Sequence, residues 1–132
     1  VVSNGEEKNL YQTATGRIIL ACQEDDARMH FIQKYGLPNE LWPEVQSEND
    51  LIYELDRIKH KQLAIHFDGA YVVGVGVPIY KNGEIVAAIG IYLPEVRFTF
   101  RVQEQIFMEI SKTARQVSEG MSEIHSKKVN FM

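Results

Sequence analysis

The sequence predicts an α+β fold in which helices pack on an antiparallel sheet. Two β-rich apolar runs, residues 71–80 and 85–93, flank Asn82-Gly83, and an Asn-Gly pair between such runs is the strongest short-range hairpin signal. Apolar residues at helical spacing predict further helices, the longest of them after Thr99. Strands joined by tight turns favour an antiparallel sheet on which the helices gather.

A two-residue turn at Asn82-Gly83 also fixes a register for the hairpin. Lys81 then faces Glu84, an attractive pair of charges. The further pairs expected are Val77–Ala88, Gly76–Ile89, Val75–Gly90, Gly74–Ile91 and Val73–Tyr92. Both faces are mostly apolar, so we expect the hairpin to be covered on both sides. Glycines inside the strands leave hollows that either a helix or a ligand could occupy, and the sequence leaves both open.

The chain before the hairpin predicts a short edge hairpin in residues 1–11 and then three helices. Small polar residues at 13–16 lead into an apolar run, which predicts a short helix beginning near Thr15. Its start is either a plain cap by Thr13 or Thr15 or an anion-binding N-terminus. Residues 23–36 predict the second helix, with Ala27, Phe31 and Ile32 on its apolar face.

The third helix follows a capping pattern, Ser47-Glu-Asn-Asp50, and its buried stripe is expected at Leu51, Leu55 and Ile58. Trp42, in the loop before it, is expected at the edge of the core. Residues 63–67 alternate as a strand, and the hairpin follows. Thr99 is a candidate cap of the closing helix, whose apolar stripe is Val102, Ile106, Ile110, Ala114, Val117, Met121 and Ile124.

Composition limits the function classes. The chain has 132 residues, enough for a single domain with its own core, and a net charge of −4, which argues against nucleic-acid binding by this piece. No apolar run approaches the roughly 20 residues of a membrane helix, and no secretory signal pattern is present. The lone Cys22 excludes an internal disulfide and suits a reducing compartment. The start at Val1-Val2, without methionine, leads us to expect an excised domain or a processed product.

Motifs for catalysis or metal binding are lacking in the sequence: it has no nucleophile elbow, phosphate-binding loop, dinucleotide fingerprint or zinc spacing. Cys22 lies on a predicted apolar helix without an adjacent base, which favours inert burial over a thiol nucleophile. His66 and Asp68, near a strand end, could share a site but supply too few ligands for a metal.

Several blocks of the sequence resemble one family of regulators. Thr13-Ala-Thr-Gly-Arg-Ile-Ile-Leu-Ala21 is similar to the segment that opens the C-terminal effector-binding domain of IclR-type transcriptional regulators. The helix Leu51-Ile-Tyr-Glu-Leu-Asp-Arg-Ile-Lys59 resembles the "Leu-x-x-Glu-Leu-x-x-Ile-Arg" helix of that domain. The strand blocks of the family resemble Gly76-Val-Pro-Ile-Tyr80, Gly83-Glu-Ile-Val-Ala-Ala-Ile89 and Pro94-x-x-Arg97. The resemblance spans about residues 10–120 in the right order.

The resemblance implies a GAF-like fold, an antiparallel sheet flanked by helices with a small-molecule pocket on one face. It also implies a cytoplasmic, dimeric or tetrameric regulator whose winged helix-turn-helix, absent from residues 1–132, contacts DNA. No enzymatic activity, cofactor, metal site or membrane partner is implied. The alternatives that stay open are a stand-alone GAF-like sensor, an enzyme acting through Cys22, or a pure oligomerisation module.

By position, the resemblance places effector contacts at six residues. Two lie before the first helix and the others on the strands: Ala14, Thr15, His66, Gly74, Gly90 and Tyr92. The acidic patch usual in the family is reduced to His66 with Asp68 nearby, and the usual Gly-Tyr-Ala is Gln62-Leu63-Ala64. Because an imidazole attracts anions when protonated, we expect a small organic acid as the effector, bound between Thr15 and His66.

Overall fold

A three-stranded antiparallel sheet lies between two groups of helices. The computed structural model describes residues 8–131 of the chain and the side chains of residues 9–120. The strands lie in the order β1 (Ala64–Phe67), β2 (Val72–Lys81) and β3 (Glu84–Pro94). The helices are α1 (Ala14–Ala21), α2 (Asp25–Tyr35), α3 (Glu48–Lys61) and α4 (Phe100–Phe131). The predicted α+β class and the long C-terminal helix are confirmed.

The β2–β3 hairpin has the predicted turn but not the predicted register. Asn82 and Gly83 both have positive φ, 54° and 79°, as a type I′ turn requires, and Lys81 pairs with Glu84. A β-bulge then inserts Val86, because Tyr80 pairs with Ile85 whereas Ile79 pairs with Ala87. The pairs predicted beyond the turn are therefore wrong by one residue. Those observed are Val77–Ile89, Gly76–Gly90, Val75–Ile91, Gly74–Tyr92 and Val73–Leu93.

The sheet is covered on both faces, as predicted. On one face the buried valines of β2 pack against Ile110 and Ala114 of α4. On the other face the glycines of β2 lie against the first turn of α1. A second core forms among α1, α2 and α3 and reaches the sheet at Ala64 of β1. The position of α1 over the glycines therefore sets the distance between this core and the sheet.

The start of the chain differs from the expected edge hairpin. Lys8–Tyr11 forms a 3-10 helix, so the return strand predicted at Leu10 and Tyr11 is wrong, and residues 1–7 lie outside the described part. The side chains of Leu10 and Tyr11 are buried, and the Tyr11 hydroxyl donates a hydrogen bond to the Gly36 carbonyl at 2.6 Å. Thr13, one of the two predicted caps, accepts from Gly16 N at 2.9 Å.

Helix α2 buries a charged residue in place of a predicted apolar one. Ala27 is exposed, whereas Arg28 is buried, bonded to the Asp56 carboxylate of α3 and to the Ala21 carbonyl, each at 2.6 Å. This pair ties α2 to α3, which an alanine could not do. Burial of the remaining predicted positions is confirmed at Phe31, Ile32, Trp42, Leu51, Leu55 and Ile58. Ser47 caps α3 by accepting from Asp50 N at 3.1 Å.

Helix α4 closes the opposite face and begins at the predicted cap, because Thr99 Oγ1 accepts from Val102 N at 3.4 Å. Phe98, just before the helix, is buried, and its ring lies 6.2 Å from that of Phe107. Met121 and Ile124 of the predicted stripe fall outside the described side chains. Within the described part of the chain, no helix is both long and apolar enough to span a membrane.

We predict that Gly16→Ala destabilises the protein although alanine favours helix. A Cβ at Gly16 would lie 2.7 Å from Leu10 Cα, so backbone must move. We expect a loss of about 1–3 kcal/mol in urea unfolding. The control is Gly120→Ala in α4, where a Cβ meets nothing within 4 Å and stability should rise by up to about 1 kcal/mol. Equal effects of the two substitutions would contradict this close approach.

Candidate functional site

The residues predicted to contact an effector lie around one face of the sheet. The strand register places His66 of β1 opposite Gly74 of β2, and Gly74 opposite Tyr92 of β3. These three residues therefore form one row across the sheet. The first turn of α1, with Ala14 and Thr15, lies over the same face, so the structure brings together residues that are far apart in sequence.

Helix α1 occupies the hollows above the glycines. A Cβ on Gly74 would lie 3.5 Å from Ala14 Cβ and 3.0 Å from Tyr92 Cε1. A Cβ on Gly90 would lie 2.5 Å from Thr15 Cγ2. Of the two interpretations left open by the sequence, the helix is therefore the one that the structure shows at these glycines.

A cavity of about 630 Å³ lies to one side of these glycines, along β1. Its wall includes His66 and Asp68, together with Arg17, Trp42 and Glu44. The other predicted contacts do not line it: Ala14, Thr15, Gly74, Gly90 and Tyr92. The structure thus divides the predicted site into a closely packed part under α1 and an open part beside His66.

Arg17 is the residue of this cavity that the sequence analysis missed. Its side chain is buried, its Nε donates to the Tyr11 carbonyl at 2.7 Å, and its Nη2 donates to the Leu41 carbonyl at 3.3 Å. The guanidinium carbon lies 3.9 Å from the centre of the Trp42 ring, a cation–π contact. The signal in the sequence is a single basic residue within an otherwise apolar helical run.

The charge of Arg17 persists at neutral pH despite burial. Burial lowers the pKa of its guanidinium to about 10, while Glu44 and Glu54 act in the opposite direction. Burial, with a contribution from Arg17, also lowers the pKa of His66, and Asp68 and Glu44 oppose that shift. The cavity therefore combines a permanent cation with an imidazole that is neutral at pH 7.

Asp68 has a structural role in addition to its place in the cavity wall. Its carboxylate accepts from Ala70 N at 2.7 Å and from Val72 N at 3.2 Å, which closes the turn between β1 and β2. That turn also holds Tyr71 at a positive φ of 66°. Asp68 thus keeps the end of β1, and with it His66, at the cavity.

Cys22 lies outside this cavity, in the core beneath α1. It is buried, and burial raises the pKa of its thiol. Gln62 Nε2 is 3.7 Å from its sulfur. Among the described residues, no group of three or more His, Cys, Asp or Glu side chains could hold a metal ion.

A match to a known protein family agrees with the resemblance found in the sequence. The profile of the bacterial transcriptional regulator IclR C-terminal family matches residues 1–119. The chain therefore belongs to this family, and the predicted resemblance to an IclR-type effector-binding domain is confirmed. Among curated proteins, no sequence relative matches the chain.

Solved structures show the same fold. A transcriptional regulator from Rhodococcus sp. RHA1 is similar with a TM-score of 0.76 and 19% identity, over 87% of this chain and 49% of that one. A double mutant of the inducer-binding domain of PobR from Acinetobacter, in complex with 3-hydroxybenzoic acid, gives a TM-score of 0.71 and 20% identity, over 83% of this chain and 66% of that one. IclR of Thermotoga maritima gives 0.67 and 27%, over 84% and 46%. The chain thus spans about half the length of the two whole regulators.

We predict a pH effect on stability from His66. Its pKa is lower in the folded protein than in the unfolded chain, so the unfolded chain binds the proton more readily. The free energy of unfolding should therefore fall as the pH drops below about 6.5, the ordinary pKa of histidine. His66→Gln should lose part of this decline, whereas His60→Gln, at an exposed position on α3, should keep it. Identical pH profiles for the two variants would contradict the prediction.

Proposed function

We propose that the domain binds a small-molecule effector in the cavity along β1. The observation that carries the proposal is the cavity itself, because about 630 Å³ lies within the range of small-molecule sites, roughly 300–1,000 Å³. An aromatic ring, a buried cation and an imidazole line it together, which suits a ligand with both apolar and polar parts. The complex of a double mutant of the similar PobR inducer-binding domain with 3-hydroxybenzoic acid supports the same use of the fold.

The effector, in this proposal, is a small organic acid that lies beside His66. The sequence analysis placed it between Thr15 and His66, but Thr15 packs its methyl over Gly90 and does not line the cavity. We therefore place the ligand on the His66 side. Thr15, Ala14, Gly74, Gly90 and Tyr92 stay in the proposal as residues that set the position of α1, through which a ligand at His66 could act.

Regulation, as proposed, depends on DNA-binding domains outside this chain. The similar regulators from Rhodococcus and Thermotoga are about twice the length of this chain. We propose that a winged helix-turn-helix precedes it in a cytoplasmic dimer or tetramer. An effector changes the spacing of such domains only if it binds the two arrangements with different affinity. In this proposal, the ligand changes the position of α1 over the glycines of the sheet.

A non-catalytic role is part of the proposal, in preference to an enzyme acting through Cys22. A thiol nucleophile needs an exposed sulfur with a lowered pKa, and Cys22 has the opposite properties. Labelling by a thiol reagent should proceed at the rate of global unfolding. A stand-alone sensor would need the same cavity, so only the longer sequence separates it from a regulator.

The first prediction of this proposal is ligand-induced stabilisation that depends on His66. A thermal-shift screen of small organic acids, 3-hydroxybenzoate among them, should yield a ligand that adds about 2.7 kcal/mol at 100 times its Kd. Its affinity should rise as the pH falls through the pKa of His66, because the protonated imidazole attracts the carboxylate. His66→Ala should remove this pH dependence, and His60→Ala should not. If no acid stabilises the protein, the pure oligomerisation module is favoured.

The second prediction is self-association. Tyr71, Val96 and Phe100 are 80%, 85% and 77% exposed, and exposed apolar side chains favour a contact with another copy. Light scattering should give a mass of at least twice 15.1 kDa at high micromolar concentration. Phe100→Ser should shift the equilibrium towards monomer, and Tyr53→Ser, on the exposed face of α3, is the control. A monomer at all concentrations would contradict the prediction.

A further inference from the structure

Arg17 is a buried cation without a carboxylate partner. Only 5% of the residue is exposed, the same as for Arg28. Arg28 is neutralised by Asp56 at 2.6 Å, whereas no ion pair joins Arg17 to an acid in the described part of the chain. Burying a charge is costly unless it is paired, so an unpaired buried guanidinium indicates a place where a charge of opposite sign binds.

The guanidinium is also held in a fixed orientation. Two of its nitrogens, Nε and Nη2, donate to main-chain carbonyls, and its plane is supported by the Trp42 ring. The third nitrogen of Arg17, Nη1, makes no hydrogen bond within the part of the chain that the structure describes. Among the described residues, the fully buried side-chain nitrogen that lacks an acceptor is Arg28 Nε, so Nη1 of Arg17 is not fully buried and is open to the cavity that Arg17 lines. A fixed donor of this kind matches the geometry of a carboxylate without further ordering.

The acids around Arg17 limit what can bind there. Glu40, Glu44 and Asp68 line the same cavity and are exposed to solvent, so they lie at its outer side. Glu54 also lines it and pairs with Arg57 at 2.9 Å. The further cation of the lining, Lys61, is exposed, so the buried cation that an anion meets is the guanidinium of Arg17, and a second negative charge on the same ligand would lie near the outer carboxylates.

We propose that Arg17 is the carboxylate-binding group of the cavity and that the outer acids restrict the ligand to a single carboxylate. The rest of such a ligand is neutral or carries a hydrogen-bond donor, and its apolar part contacts Trp42. This assignment rests on the proposed effector function of the cavity. It adds which residue binds the effector and how many negative charges the effector carries.

The fluorescence of Trp42 provides the test, because it is the single tryptophan of the chain and contacts the guanidinium. Benzoate, benzamide and terephthalate carry one, no and two carboxylates on the same ring. We expect benzoate to change the emission saturably, with an affinity about tenfold higher than that of benzamide, since hydrogen bonds to charged groups are the stronger ones. Terephthalate should bind more weakly than benzoate.

A matched pair of variants separates Arg17 from general charge. Arg17→Lys keeps the charge but loses the guanidinium plane that two carbonyls and the Trp42 ring hold in place, so the affinity for benzoate should fall by about fivefold or more. Arg101→Lys makes the same change at an exposed position of α4 outside the cavity lining and should alter the affinity by less than about twofold. If Arg17→Lys does not fold, the three ligands compared on the unsubstituted chain decide the matter.

The outcomes distinguish this assignment from the proposed function beneath it. No response to benzoate, equal affinity for benzoate and benzamide, or tighter binding of terephthalate would each overturn the role of Arg17. If a neutral compound still stabilises the protein in the thermal-shift screen, the cavity remains an effector site with another selectivity. If no compound of either kind binds, the effector function fails as well.

Discussion

The close approach of α1 to the sheet is the constraint on which the rest of the structure depends. The main chain of Ala14 lies 3.0 Å from where a Cβ of Gly76 would be, so a larger residue at this position would require α1 to move away by a few tenths of an ångström. Because α1 is so near, the core of α1, α2 and α3 meets the sheet without a gap. The same placement carries Arg17, one turn further along, to the cavity beside β1.

The charged groups follow from that placement. Arg17 and Arg28 are both buried next to α1, yet one is neutralised by an acid of α3 and the other is held by carbonyls and an aromatic ring. Arg28 links α2 to α3, whereas Arg17 keeps a positive charge that no acid of the described residues pairs with. The difference between a structural and a functional arginine here lies in the partners that the fold supplies and not in the depth of burial.

The sequence predicted most of the fold because its signals are local. The Asn82-Gly83 turn, the caps at Ser47 and Thr99 and the apolar stripe of α3 each depend on neighbouring residues, and the structure confirms them, whereas Ala27 of α2 and Val117 of α4 are exposed. The bulge at Val86 depends on how two distant strands fit, so the register could not be predicted from the turn alone. The cavity was only partly predictable, since the position of Arg17 depends on hydrogen bonds to the carbonyls of Tyr11 and Leu41, which lie in segments without a motif.

The central strand has a consequence for the slowest motions of the molecule. β2 is paired with β3 from Val72 to Lys81 and with β1 from Val73 to Gly76, and seven consecutive residues from Val73 to Ile79 are buried. The amides that β2 donates to β3 can meet solvent deuterons only when this hairpin opens, so their hydrogen exchange should report global unfolding. The short β1 can detach from one side alone, so the wall of the cavity belongs to the part of the sheet that opens most readily.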